Sequence, residues 1–202
     1  MKRMIFVLIV CGAIPLPAGE QTLISGQVDH GGYGGPVLKY SQVGPNKADG
    51  LFVGGQGGWI IDHTFVIGGG GYGLSSRVAA DWYDAATDAS VPGSYILSFG
   101  YGGLLLEYIN RSNELVHFEI FSLIGGGGVD YVLDDHLEHD DAMSDGLFVV
   151  EPGANLIVNV SPFFRIGFGI SYRYVSGVDI IGLTDSDLSG LGGHIVLKFG
   201  AF

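Results

Sequence analysis

The sequence predicts an all-β fold, an eight-stranded antiparallel up-and-down transmembrane β-barrel, and three observations carry that prediction. From Phe164 to Tyr174 every even position is large and apolar (Phe, Ile, Phe, Ile, Tyr, Tyr), and every odd position is Arg, Gly or Ser. This strict period of two belongs to a strand with unlike faces. An exposed Arg-Gly-Gly-Ser-Arg face is poor in strand formers, whereas a narrow interior uses glycine for room and arginine for pairing while lipid takes the aromatic face. Second, beyond the N-terminal segment there is no run of eighteen apolar residues despite a mean hydropathy of +0.38, so the hydrophobicity is dispersed in alternating strands. Third, the segments joining the strands alternate between short and long.

The chain opens with Met1-Lys2-Arg3 and the apolar run from Met4 to Val10, which reads as a signal peptide over residues 1–19. Cys11, the one cysteine, leaves with it, and Val10 before it is too large for a lipoprotein-processing site. No disulfide frame and no thiolate chemistry is expected in the mature protein. Residues 20–30 form a periplasmic lead-in, and residues 31–202 form the barrel. Strands are predicted at 31–43, 51–61, 65–80, 95–109, 115–132, 147–159, 163–176 and 189–201. The connections 62–64, 110–114 and 160–162 are short; 81–94, 133–146 and 177–188 are long and polar or acidic. Short periplasmic turns and long outer loops have this pattern when both termini lie in the periplasm. An even strand count leaves no unpaired edge in lipid.

In its hairpins and its aromatic C-terminal residue the segment from Gly31 to Phe202 resembles the small eight-stranded outer-membrane barrels of the outer-membrane protein A and X types. The resemblance implies an outer-membrane location and no catalytic motif. The terminal Phe of such families continues an outward face; here Ile195, Leu197, Phe199 and Ala201 form that face, and Phe202 falls out of step.

Face parity sorts the charges. Lys39, Glu107, Glu119, Glu151, Arg165, Arg173 and Lys198 all fall on inward faces, four cations against three carboxylates, and are expected to form a salt-bridged lumen network, because unpaired buried charge is costly. The functional alternative for these charges is a proton- or ion-conducting path, or a catalytic carboxylate and imidazole pair built from Glu119 and His117, which share a face two positions apart; the structural reading is preferred. Asp134-Asp135-His136-Leu137-Glu138-His139-Asp140-Asp141 concentrates ligands that can hold divalent cations, but it lacks the glycine and spacing of an EF-hand and reads as a solvated loop. Asp185-Ser186-Asp187 is read the same way. Gly68 to Gly73 formally matches G-x-G-x-x-G, yet no helix follows and no phosphate-loop Lys-Ser/Thr is present. Trp59, Tyr72, Tyr95, Tyr108, Tyr131, Tyr172 and Tyr174 are candidates for interfacial girdles.

With 9 basic residues against 21 acidic ones, nucleic acid is not an expected partner. The expected partners are outer-membrane lipid and, at the acidic loop, divalent cations; the expected state is a monomer without cofactor, catalytic centre or resident metal. Two alternatives are a lipid-modifying outer-membrane enzyme, for which no Ser/His pair is found, and a narrow pore, for which eight strands leave little room.

Overall fold

A computed structural model describes residues 29–84, 89–133, 145–180 and 182–202. The signal segment, most of the lead-in and the acidic run 134–141 lie outside these residues. The strands are β1 (His30–Val43), β2 (Ala48–Ile61), β3 (Phe65–Leu74), β4 (Ala79–Asp84), β5 (Ala89–Asn110), β6 (Val116–Leu133), β7 (Asp145–Ser161), β8 (Phe164–Ser176) and β9 (Gly190–Ala201), with one helical turn, α1 (Asp185–Leu188). All pairings are antiparallel and run β3-β2-β1-β9-β8-β7-β6-β5-β4; β3 also pairs with β5 from Phe65↔Tyr108 to Gly73↔Gly100. That last seam closes eight strands into a barrel.

The ninth strand is the main departure from expectation. The segment 65–80 was predicted as one strand and 81–94 as a loop, but β3 ends at Leu74, where the amides of Ser75 and Ser76 turn onto the Leu51 carbonyl and the Ser76 hydroxyl accepts from the Leu51 amide. The chain then resumes as β4, which pairs with an early-starting β5 from Ala79↔Ile96 to Asp84↔Ala89. This hairpin continues the β3–β5 line past the barrel rim. The strand-forming residues Trp82, Tyr83 and Val91 lie within the polar stretch that suggested a loop.

At the short-turn end Asp62 and His63 both have positive φ, 50° and 51°, and the Thr64 amide donates to the Ile61 carbonyl at 3.1 Å. Positive φ at both of these residues gives the turn a twist that suits the strands, and Thr64 completes a three-residue connection between the paired Ile61 and Phe65. At the other end two leucines of the connection between β8 and β9 turn inward. Leu183 and Leu188 are buried among Val43, Leu147, Val149 and Val175 at the barrel mouth.

The outer wall is apolar. Leu38, Val53, Ile67, Leu104, Phe118, Ile120, Leu156, Phe168, Ile170 and Ile195 are exposed on it, with Tyr40, Tyr172 and Tyr174 towards the long-loop end and Trp59, Tyr108 and Phe199 towards the short-turn end. Of the girdle candidates, Tyr72 and Tyr131 are instead buried inside. Tyr72 lies on the inward parity of β3 with Val66, so its face was written in the sequence alternation. The side chain of Tyr95 lies outside the description.

Candidate functional site: the charged lumen

The barrel register assembles the interior polar groups. Lys39 of β1 stands opposite His194 of β9, His194 opposite Gly169 of β8, Gly169 opposite Asn155 of β7, and Asn155 opposite Glu119 of β6. One circumferential row thus brings a lysine, a histidine, an asparagine and a glutamate together from strands as far apart in sequence as Lys39 and His194. Gly169 is the space in that row. A Cβ there would collide with the Asn155 Oδ1 and His194 Nε2 atoms, which bond each other at 2.7 Å. Because amide oxygen only accepts, Nε2 of His194 carries the hydrogen of that bond.

Two clusters grow from the ends of this row, one at Glu119 towards the short turns and one at Lys39 towards the long loops. In the lower one Lys198 Nζ donates to Glu119 Oε2 at 2.6 Å and to Glu107 Oε2 at 3.1 Å. Glu107 Oε1 also accepts from the Tyr33 hydroxyl at 2.8 Å and from Gln56 Nε2 at 3.1 Å, and Gln56 Oε1 accepts from Tyr72 at 2.7 Å. In the upper one Lys39 Nζ donates to Glu151 Oε1 at 2.7 Å, Tyr101 donates to Glu151 Oε2 at 2.7 Å, and Ser171 donates to Oε1 at 2.5 Å. Lys39 also lies 3.6 Å from the centre of the Tyr72 ring, so Tyr72 touches both clusters. Such an arrangement offsets the desolvation of each charge by several partners at once.

All seven residues expected in the network are buried, but the arginines do not bind carboxylates as expected. Arg173 Nε donates to the Leu188 carbonyl of the folded-in loop at 2.7 Å and its guanidinium lies 4.6 Å from the Phe52 ring centre and 5.2 Å from that of Phe99. Arg165 lies 3.9 Å over the ring of Phe202 at the short-turn end. A planar cation stacks on rings as an ammonium group on a flexible stem does not need to, and the lysines occupy the carboxylates. His117 bonds the Glu114 carbonyl through Nδ1 at 3.2 Å; its Nε2 and the Glu119 Oε1 are sealed in without a partner in the described structure. No hydrogen bond joins the two residues, so the acid–base pair considered from the sequence is not assembled in this structure.

Tyr33, Gln56, Tyr72, Tyr101 and Ser171 also belong to the network, beyond the charged residues that face parity picks out. Gln56 carried a usable signal, since it is the one inward polar side chain with more than a hydrogen among Phe52, Gly54, Gly58 and Ile60. Asp185 and Asp187, read as solvated, are structural. Asp185 Oδ1 accepts from the Val178 amide at 2.9 Å, and Asp187 forms a capping box with Thr184, accepting from its amide at 2.8 Å and its hydroxyl at 2.6 Å. Among the described residues no three His, Cys, Asp or Glu side chains are placed to hold a metal ion.

A closed eight-stranded barrel with an apolar outer belt and charges turned inward is a small outer-membrane β-barrel. Its architecture is that of the outer-membrane protein A and X types. Among solved structures it is similar to Neisserial surface protein A, at 11% identity and a TM-score of 0.56 over 87% of this chain and 99% of that one. It is also similar to Ail, the attachment invasion locus protein of Yersinia pestis, at 15% identity and a TM-score of 0.46 over 85% of this chain and 97% of that one. No known sequence family and no curated protein matches the chain.

Proposed function

We propose that this protein is a non-enzymatic, monomeric outer-membrane barrel whose lumen is plugged by its salt-bridge network and whose acidic long-loop end meets the outside, in a structural or surface-interaction role. The observation that carries the plug is the crossing of the lumen by Lys39–Glu151 and by Lys198 with Glu107 and Glu119, all at most 2% exposed at the side chain. Eight strands enclose a space that long side chains fill, and the charges here bond one another across it. Above them, the apolar group around Leu183 and Leu188 adds a second barrier. The outer loops are proposed to meet divalent cations through the run from Asp134 to Asp141, which would let the surface bridge other anionic groups. In planar bilayers the protein is expected to pass no steady ion current. Large, sustained single-channel currents from the unaltered chain would require an open path and would end this reading.

A further inference from the structure

Arg165 differs from the other buried cations of the barrel. It is only 7% exposed, yet none of its nitrogens forms a hydrogen bond or an ion pair with a described residue, and none is among the sealed, unpartnered atoms of the interior. Its donors therefore open to solvent. They open into a cleft of roughly 460 Å³ at the short-turn end, a size suited to a small ligand. Phe202, the residue that breaks the outward alternation, closes one side of this cleft and fixes the guanidinium plane from 3.9 Å; Tyr33 in turn stacks on Phe202 at 6.2 Å.

The remaining wall comes from two hairpin turns, with His63 and Thr64 on one and Arg111 and Ser112 on the other. Among the described residues no Asp or Glu side chain lines the cleft, in a chain whose acids outnumber its bases 21 to 9. Arg111 is 72% exposed and held only by a surface pair with Glu114 at 3.2 Å, which is weak enough to yield to a ligand. His63 has an equally exposed neighbour in Asp29 at 3.6 Å. Deeper in, Glu119 is engaged by Lys198. A preset planar fork on the floor with a second, movable guanidinium at the rim is the donor geometry that recognises carboxylate or phosphate oxygens.

We propose that this cleft is an oxyanion-binding site on the periplasmic face, taking a phosphate or carboxylate group carried either by a small solute or by an anionic lipid headgroup of the inner leaflet. It stands apart from the plugged-lumen reading, since it lies at the barrel mouth and requires no open path.

The sequence makes the test tractable, because Arg77, Arg111, Arg165 and Arg173 are the only arginines beyond the signal segment. With the protein in non-ionic detergent, the Nε–H resonances of these four are followed while inorganic phosphate is added, against sodium chloride at equal ionic strength. Arg165 and Arg111 are expected to shift saturably at about 1–10 mM phosphate, and Arg173, at the other end of the lumen, is not. Arg111→Gln should weaken binding about threefold and Arg165→Gln about tenfold, the latter read through Arg111. Arg111 is exposed, so its variant reports even where Arg165→Gln fails to fold. In nanodiscs, a phosphate-free shift of Arg165 with phosphatidylglycerol but not with phosphatidylcholine would identify the headgroup as the source; phosphate titrating both alike would identify a solute. The proposal is overturned by the absence of a saturable shift beyond the chloride control, or by an affinity unchanged in Arg111→Gln.

Discussion

Lys39, Tyr101 and Ser171 all donate to the carboxylate of Glu151, and this convergence sets what single substitutions do. In Glu151→Ala the ammonium of Lys39 stays sealed in the lumen without its counter-ion, an arrangement that costs about 3–5 kcal/mol. Replacing both partners, Lys39→Met with Glu151→Met, removes the buried charge but leaves the Tyr101 and Ser171 hydroxyls without their acceptor, so it should recover part of the loss and stay less stable than the unaltered protein. Urea unfolding in detergent, followed by the gel shift between folded and unfolded forms, separates these outcomes. An unchanged midpoint in Glu151→Ala would show that Lys39 does not depend on this pair. The inward position of every one of these charges could be read from the sequence, because alternation assigns faces. Their pairing could not, because height along the barrel follows from register and stagger. Thus Arg173 meets Phe52 and the Leu188 carbonyl rather than a carboxylate.

Within single elements, β8 shows how parity becomes energy. Ile170 is 62% exposed on the outer wall, and its neighbour Ser171 is buried against Glu151. Arginine at position 170 should cost about 2–4 kcal/mol at mid-bilayer and lower the yield of inserted protein. Ser171→Ala should insert normally but unfold at lower urea, since it loses a hydrogen bond to a charged acceptor worth about 1.5–3 kcal/mol. Equal insertion of both variants would mean that the faces of β8 are misassigned. The segment 177–189 gives a second element-level expectation. Its Leu188 is fully buried, and its backbone is tied to the barrel by Gly44 N–H to Asp187 O at 2.9 Å and by Lys47 to the Ser186 carbonyl. Leu188→Asp should therefore release the segment, read as new protease cleavage there with the barrel intact; continued protection would show that the leucine does not anchor it. Composition alone made this stretch look like a solvated loop. The Thr184–Asp187 spacing of a capping box was the one local sign of order, and it is too short a pattern to show that the loop turns into the mouth rather than away from it.

For the whole molecule, closure and orientation follow from the order of connections. The turns at 62–64, 111–115 and 162–163 lie at one end with Phe202, and the strand ends that the long segments join lie at the other. Strand number and this alternation were legible because turn residues punctuate the strands. The β4–β5 extension was not, because Ala, Asp, Pro and Gly within 79–95 dilute the strand signal of its aromatics. With the short turns in the periplasm, protease added to intact cells should cut within 134–141 and spare 110–114. Such a cut should not dismantle the barrel. β6 and β7, on either side of it, remain paired from Val116↔Val158 to Val129↔Asp145, and each half is also held by its other neighbour, β5 on one side and β8 on the other. The two fragments should therefore migrate together on unheated gels and separate only after boiling. Cleavage at 110–114 with 134–141 protected would place the short turns outside and reverse the orientation, and fragments that part without heating would show that the β6–β7 seam does not hold without its loop.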